Sequence, residues 1–450
     1  MGRYKDKDED KYKGQALCSC GVVDLIKQIR LRTGFSEKEA RAFIAKPLFE
    51  RPDVEAAVRD IVEAVRRDGN KALFEYTRKF DKVSLTADTV RVTPEEFDAA
   101  YSLVESDFLG AIREAKERIR SFHARQRGNS WFMAENGAFL GQLVRPVERA
   151  GTYVPGGRAS YPSSVLMNAI PAKVAGVDEI AMVVPGATRA EVLVAAAEAG
   201  VDEVYKVGGA QAIAALAFGT ESIKKVDVIT GPGNIYVTLA KKMVVGSVAI
   251  DMLAGPSEVV VIADSGAKLA YVAADLLAQA EHDPDASAIL ITNSEEVAQE
   301  IAGVVEAQLG KLDRRDIAEK SLQENGRIFV VASLEEAIRL ANIIAPEHLE
   351  LAIENPLEAL GSIRNAGAIF LGYYTPEAVG DYVAGPNHVL PTGGTARFYS
   401  PLSVDTFLKK SSVLSFSRQS LGMVADSTIT IADSEGFGGH AKSVRYRMEE

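Results

Sequence analysis

The sequence predicts an α/β protein with two doubly wound, incomplete Rossmann-like parallel-sheet domains and small helical segments at both ends of the chain. Short apolar runs alternate with runs at helical spacing, as in a parallel sheet that helices cover on both faces. This alternation occurs twice, once after Gly151 and again after Ser257. At 450 residues the chain is also too long for a single hydrophobic core.

The segment before Gly151 has a different pattern. Residues 1–45 begin with a charged run that has no apolar signal region, and we predict a tail followed by a helical segment. Residues 46–126 are largely helical in pattern, with apolar residues at helical spacing from 53 to 80. Residues 131–149 alternate around Asn136-Gly137, which predicts a hairpin.

Strands and helices then follow each other in two units. The predicted strands of the first unit are 180–184, 204–207, 228–230 and 248–250. Its predicted helices are 163–175, 190–199, 211–218 and 235–244. The predicted strands of the second unit are 259–263, 288–292, 328–331 and 368–371, and its helices are 269–281, 295–309 and 334–344. After Gly394 the alternation stops, which predicts a smaller, mainly helical tail.

These elements group into four parts. Residues 1–45 form the N-terminal tail and helical segment. Residues 46–152 and 259–395 form a first, discontinuous α/β domain, and residues 153–258 form a second α/β domain. Residues 396–450 form a C-terminal segment.

Composition and charge exclude several functional classes. The net charge of −11 argues against a nucleic-acid binder, because phosphate contacts need a basic surface. No apolar run approaches the length of a membrane span, and we expect a cytoplasmic enzyme. Cys18 and Cys20 are too few for a disulfide framework or a cysteine zinc site, so a metal would need nitrogen and oxygen ligands.

Glycine-rich turns follow strands of the first unit, at 153–157, 207–211 and 230–234. Open parallel sheets bind ligands at the carboxyl ends of their strands, and helix N-termini there can receive phosphate oxygens. The alternative is that glycine only permits tight turns. Three such turns in one unit favour a nucleotide site, without identifying the nucleotide.

Histidine is scarce, and four of the five histidines lie after residue 280. Asp275, Gln279 and His282 stand at i, i+4 and i+7, on one face of a predicted helix. Gln-x-x-His can supply half of a metal site, which a carboxylate and a further nitrogen would complete. The alternative is a helix C-terminus whose histidine complements the helix dipole. From this helix alone we favour that alternative.

Three further segments combine acids with histidine. Glu347-His348 follows a helix-breaking Pro346, and a carboxylate beside an imidazole can transfer protons. A capped surface loop explains these two residues equally well. Segments 380–388 and 435–440 are rich in turn residues and glycine, and such loops often carry binding groups, although chain ends are also often simply flexible.

Taken together, these blocks resemble the histidinol dehydrogenase family over about residues 46–445. The most specific part is Ile250–Asp283, in which ID, AGPSE and EH stand at the family's spacing. The other blocks, in family order, are YVPGG, VGGAQAIAALAFGT, GPGN, APEHLE, GDYVAGPNHVLPTGGTARF and EGFGGH.

The resemblance implies a zinc- and NAD-dependent enzyme that oxidises L-histidinol to L-histidine through L-histidinal, reducing two NAD in the last steps of histidine biosynthesis. One zinc per subunit would be held by the residues that match the family's ligands, Gln279, His282, Asp381 and, from the partner subunit, His440. The matching catalytic residues are Glu347 and His348.

The resemblance also assigns binding residues for both small molecules. The substrate would contact Ser257, Gln279, His282, His348, Asp381, His388, Glu435 and His440. The dinucleotide would contact Tyr153, Gln211 and Asn234. An intertwined homodimer is implied, in which residues 396–450 cross to the partner so that Glu435 and His440 serve the other subunit's site.

Two other hypotheses make different demands on the sequence. A relative that oxidises another small polar alcohol, such as a sulfonated diol, should differ at the substrate end, whereas Ser257, His388 and Glu435 match the histidinol pattern. A non-catalytic protein that binds zinc and a nucleotide should lack the proton-transfer pair, whereas Glu347 and His348 are present.

Overall fold

Two parallel sheets and one antiparallel sheet organise the chain. The computed structural model describes residues 25–43, 51–156, 160–186 and 189–449, so Cys18 and Cys20 lie outside the described residues. The strands are β1 (Lys27–Arg30), β2 (Trp131–Glu135), β3 (Ala138–Pro146), β4 (Arg149–Tyr153), β5 (Glu179–Val183), β6 (Glu203–Tyr205), β7 (Val228–Thr230), β8 (Ala249–Ile250), β9 (Glu258–Ala263), β10 (Ser287–Thr292), β11 (Arg327–Val330), β12 (His348–Ala352), β13 (Ala368–Leu371) and β14 (Leu408–Phe416).

Helices connect and cover these strands. They are α1 (Glu37–Arg41), α2 (Pro52–Asp68), α3 (Asn70–Asp81), α4 (Pro94–Leu103), α5 (Ser106–Ala124), α6 (Pro162–Ala175), α7 (Ala190–Ala199), α8 (Gly209–Phe218), α9 (Ile235–Val244), α10 (Leu269–Ala280), α11 (Glu295–Leu309), α12 (Arg315–Asn325), α13 (Leu334–Ile344), α14 (Pro356–Ala359), α15 (Glu377–Tyr382), α16 (Arg418–Ser434) and α17 (Gly438–Glu449). Single 3₁₀ turns lie at Leu360–Ser362, Thr395–Arg397 and Val404–Phe407. None of the described helices is long and apolar enough to cross a membrane.

The first parallel sheet has the strand order β6-β5-β4-β7-β8. The chain builds outwards from β4 through β5 to β6, then returns to the other side of β4 for β7 and β8. This reversal creates a topological switch point between β4 and β7, where open α/β sheets bind ligands. At this point Gly231 approaches the carbonyl oxygen of Tyr153 so closely that a Cβ atom would collide with it.

The second parallel sheet has the strand order β1-β11-β10-β9-β12-β13. On β12, Leu349 and Leu351 enter the core on one face of the sheet. Because successive side chains of a strand point to opposite faces, His348 and Glu350 share the other face. The edge strand β1 lies within the predicted N-terminal tail and helical segment; it was missed because it has four residues, three of them polar.

Helices α2–α5 pack against the first sheet, whereas Ala40 of α1 lies in a core of the second sheet. Val58 and Val65 of α2 share one core with Ile213 of α8, and Ile119 of α5 shares another core with residues of α6. The predicted grouping of residues 46–152 with 259–395 therefore differs from the observed packing. The spacing of apolar residues shows that a helix has a buried face, but not which sheet that face meets.

The third sheet is antiparallel, in the order β14-β3-β2. Asn136 and Gly137 join β2 to β3 with φ of 49° and 76°, which confirms the predicted hairpin, since a type I′ turn needs two positive φ values. The C-terminal tail, predicted as mainly helical, begins with the nine-residue strand β14 before α16 and α17. The predicted α/β class with two parallel sheets is confirmed.

Candidate active site

His348, the first residue of β12, lies at the centre of a cluster of acidic side chains. Its Nδ1 atom is 3.1 Å from the carbonyl oxygen of Glu258. A carbonyl oxygen only accepts hydrogen bonds, so Nδ1 carries the proton, and in the neutral ring Nε2 has a free lone pair. Nε2 is buried without a hydrogen-bond partner among the described residues and lies 3.7 Å from Asp381 Oδ1. A buried nitrogen in this state is a candidate to meet a ligand.

The charge of the His348 ring depends on its acidic neighbours. Burial disfavours the charged ring, but Glu377 Oε1 at 3.7 Å and Glu347 Oε2 at 3.8 Å outweigh burial and raise the pKa of His348. A cation bound beside Asp381 would act in the opposite direction, because it would favour the neutral ring.

Glu347 is held beside His348 by the main chain of the neighbouring strand. Its Oε2 atom accepts a hydrogen bond from the Glu258 N–H at 2.9 Å. Burial raises the pKa of Glu347 to about 8. The carboxyl group can therefore exchange a proton close to neutral pH, as a general base or acid does.

A second group of side chains can hold a cation. Helix α10 ends close to the amino edge of the second sheet, which places Gln279 and His282 there, and α15 carries Glu377 and Asp381 four residues apart on one face. One ligand atom from each of His282, Glu377 and Asp381 lies within 4.8 Å of the other two.

The fully buried amide of Gln279 faces Glu377 in this group. With its nitrogen on that side, the amide donates to Glu377 Oε1 at 3.1 Å and Oε2 at 3.3 Å, whereas an oxygen there would face only acceptors. The amide oxygen is then the atom left for a cation. An imidazole nitrogen with carboxylate and amide oxygens suits zinc, so the donor set fits the metal expected from the sequence.

The fourth predicted ligand lies elsewhere in the chain. His440 is exposed on α17, its ring stacked on Phe437 with 5.2 Å between centroids, and it is not part of the metal-binding group found among the described residues. Glu435, at the end of α16, is exposed as well. One chain therefore brings Gln279, His282 and Asp381 together but not His440 or Glu435.

Two further predicted substrate residues, His388 and Ser257, lie close to these groups. His388 Nδ1 donates to the Asp381 carbonyl oxygen at 2.9 Å, and its Nε2 lies 3.4 Å from Ser164 Oγ on α6. Ser257 is half-buried and directly precedes β9, whose Val259 is paired with His348. The candidate catalytic groups thus lie at the amino edge of the second sheet, not at the carboxyl edge where ligands of parallel sheets usually bind.

The three predicted dinucleotide residues lie at the carboxyl edge of the first sheet. Tyr153 ends β4, and its hydroxyl oxygen accepts from the Gly209 N–H at 3.2 Å. Gln211 is buried in the first turn of α8, and Asn234 caps α9 by accepting from the N–H groups of Tyr236 and Val237. The switch point and two helix N-termini in this region fit a dinucleotide phosphate group.

Three acidic residues to which the sequence analysis gave no role lie beside the candidate metal-binding group. Glu377 contacts Gln279, Glu350 Oε1 accepts from the Glu377 N–H at 2.8 Å, and the carboxyl groups of Glu350 and Asp275 hydrogen-bond to each other. Burial raises the pKa of both Glu350 and Asp275, and their mutual repulsion raises that of Glu350 further, so the pair shares a proton. Spacing alone could have indicated Glu377, four residues before Asp381, and Glu350, two residues after His348.

Comparisons with known proteins agree with this geometry. The sequence model described as "Histidinol dehydrogenase" matches residues 45–448. The chain is 52% identical over 427 residues to histidinol dehydrogenase of Heliobacterium mobile, covering 94% of this chain and 100% of the relative. It is 56% identical over 400 residues to that of Carboxydothermus hydrogenoformans, covering 88% and 94%.

A solved structure gives the same result. The crystal structure of histidinol dehydrogenase from Elizabethkingia anophelis is similar to this chain with a TM-score of 0.89 and 40% identity. The match covers 95% of this chain and 98% of the other. The similarity therefore extends over both parallel sheets and the candidate site.

Proposed function

Since this chain belongs to the histidinol dehydrogenase family, we propose that the groups around His348 oxidise L-histidinol to L-histidine through L-histidinal. The enzyme is an NAD-dependent oxidoreductase of histidine biosynthesis, and each of its two oxidations passes a hydride to one NAD. The observation that carries the assignment of roles is the buried Nε2 atom of His348, which has no hydrogen-bond partner among the described residues and faces Asp381.

The family depends on zinc, and four residues of the dimer would hold it. They are Gln279, His282 and Asp381 of one subunit with His440 of the partner subunit. When bound, the metal supplies a Lewis acid that anchors the imidazole and amine of the substrate while hydride transfer is left to the nicotinamide. The grouping of His282 and Asp381, with the Gln279 amide oxygen directed away from Glu377, supports this ligand set.

His348 acts as the general base of the first oxidation. Its Nδ1–H remains bonded to the Glu258 carbonyl oxygen, which fixes the ring and leaves Nε2 to accept a proton. Nε2 takes the proton of the substrate hydroxyl while the hydride leaves the same carbon for NAD, and the product is L-histidinal.

Glu347 acts in the second oxidation. Its carboxylate takes a proton from a water molecule as that water adds to the aldehyde carbon, and His348 returns the proton of the first step to the aldehyde oxygen, which gives the hydrate. Loss of a second hydride to NAD and of a proton to His348 then gives L-histidine. Holding the aldehyde between both steps prevents its release, which explains why one site carries out both oxidations.

The dinucleotide binds at the switch point of the first sheet in this proposal. Tyr153, Gln211 and Asn234 lie there at the carboxyl ends of β4, β6 and β7. The first sheet with the helices packed on it serves as the dinucleotide side. The second sheet provides His348. Helix α10 and the turn directly after it provide Gln279 and His282, and helix α15 provides Asp381.

A homodimer completes the site. Large apolar side chains are exposed on the antiparallel sheet and the C-terminal helices: Trp131, Phe132, Phe139, Leu414, Phe416, Ile431 and Phe437. Exposed apolar side chains of this size and number support a protein partner. A second copy of this chain would cover them and bring its Glu435 and His440 to the neighbouring subunit's site.

The direct test is an assay of NADH formation with L-histidinol by the zinc-loaded protein. The proposal predicts turnover that is lost on chelation and returns when zinc is added. Absence of turnover by the zinc-loaded dimer would reject the proposed function.

A further inference from the structure

Gln279 can serve as a metal ligand only in one of its two amide orientations. The amide oxygen has lone pairs for a cation, whereas the NH₂ group only donates hydrogen bonds. The two orientations occupy almost the same volume, so packing alone does not select between them. Gln279 is fully buried, which makes its partners in the protein decisive.

The carboxylate of Glu377 selects one of the two orientations of the Gln279 amide. When the amide nitrogen is placed on the side of Glu377, it lies 3.1 Å and 3.3 Å from the two carboxylate oxygens, within hydrogen-bonding distance. With the amide reversed, its oxygen would instead face two acceptors at the same place, in a buried environment where repulsion is poorly screened.

We propose that Glu377 is a positioning residue, whose carboxylate accepts the Gln279 amide and thereby turns the amide oxygen towards the metal that His282 and Asp381 bind. This inference rests on the proposed function only in requiring that the site binds a metal. It assigns to Glu377 an effect on metal affinity that acts through Gln279.

Two further acids hold Glu377 in place. Its backbone N–H donates to Glu350 Oε1 at 2.8 Å, and Glu350 hydrogen-bonds to Asp275. Asp275 stands one turn before Gln279 on α10. The contacts therefore form a closed loop that joins α10, β12 and α15, and this loop sets the distance between Gln279 and Glu377.

The alternative role for Glu377 is direct coordination, since one of its oxygens lies within 4.8 Å of ligand atoms of both His282 and Asp381. The two roles differ in how they combine with a change at Gln279. A positioning residue has no effect once the residue it positions is gone, whereas a direct ligand contributes independently.

The experiment is a double-mutant cycle on zinc affinity, measured by competition with a chromogenic chelator on the full-length dimer. The variants are Gln279→Ala, Glu377→Ala and the double variant, with Glu358→Ala, at an exposed carboxylate of α14, as the matched control.

Loss of a residue that hydrogen-bonds to a metal ligand weakens metal affinity roughly 10- to 100-fold. We expect Glu377→Ala to show a loss of this size and the double variant to bind no more weakly than Gln279→Ala. Losses that multiply in the double variant, or unchanged affinity in Glu377→Ala, would overturn the proposal.

Glu377→Gln separates positioning from a folding defect. Its side-chain oxygen can still accept a hydrogen bond from the Gln279 amide. The variant should therefore bind zinc less than about tenfold more weakly than the wild type. A loss as large as that of Glu377→Ala would contradict the proposal. Because affinity is measured without turnover, failure of histidinol oxidation leaves this test intact, and a wild type that binds no zinc would reject the metal site itself.

Discussion

The Nδ1 atom of His348 donates to the carbonyl oxygen of Glu258 across the β9–β12 pair at 3.1 Å. This contact fixes the ring and leaves Nε2 as the only nitrogen that can take a proton from a substrate. Glu347 is held by the N–H of the same Glu258, at 2.9 Å. One peptide segment at the start of β9 therefore positions both members of the proposed proton-transfer pair.

His348→Ala should lower the rate of L-histidinol oxidation by roughly 10²- to 10⁴-fold, the usual contribution of a general base. The proposed zinc ligands are unchanged, so zinc content should stay at the wild-type level. The measurement is steady-state NADH formation together with metal analysis. A variant that keeps its zinc and also keeps wild-type turnover would exclude His348 as the base.

Glu347→Gln should mainly impair the oxidation of L-histidinal. Because burial raises the pKa of Glu347 to about 8, its carboxylate becomes the major form only as the pH rises through that value. The wild-type rate with L-histidinal should therefore rise with pH, reach half of its maximum near pH 8 and level off above that value, and the variant should lack this rise. An equal loss of both half-reactions in Glu347→Gln would argue against the separate roles of Glu347 and His348.

Glu350→Gln should make the protein's stability less dependent on pH. Burial raises the pKa of Glu350 to about 9, so the folded state binds a proton that the unfolded chain has released above the ordinary carboxyl range. Stability then falls as the pH rises towards about 9. The variant keeps an acceptor for the Glu377 N–H and loses this titration, so its thermal midpoint should fall less between pH 6 and pH 9. Parallel wild-type and variant curves would contradict the assignment.

Mixed dimers can test whether the C-terminal segment crosses to the partner. His282→Ala and His440→Ala chains should each be inactive alone. In a heterodimer of the two, one site would combine an intact His282 with an intact His440 of the partner subunit. Co-expression should therefore restore activity, up to about half of the wild-type value per heterodimer, since one of its two sites is intact. No recovery in purified heterodimers would mean that His440 does not complete the partner's site.

Local patterns predicted most of the fold. Short continuous apolar runs identified strands such as β5, β9 and β10, because the apolar composition of a buried strand lies within its own residues. The strand β14 was missed because it contains the polar run KKSS. The packing of α2 on the first sheet was missed because the apolar spacing of a helix shows that one face is buried, but not which sheet that face contacts.

The residues of the candidate site were also predicted only in part. The resemblance provided Glu347, His348, Gln279 and Asp381. In the structure Glu347 and Asp381 lie beside the His348 ring, and Gln279 faces Glu377. Glu350 and Glu377 escaped notice because a carboxylate in a strand or a short helix is usually exposed. Their partners are distant in sequence: Asp275 lies 75 residues before Glu350, as their numbers show.

The measurement that tests the central claim most directly is the amount of NADH formed per L-histidine when the zinc-loaded enzyme consumes a limiting amount of L-histidinol. The account predicts two NADH for each L-histidine, with no L-histidinal released into solution. One NADH for each L-histidinol consumed, with free aldehyde as the product, would contradict the claim that one site carries out both oxidations.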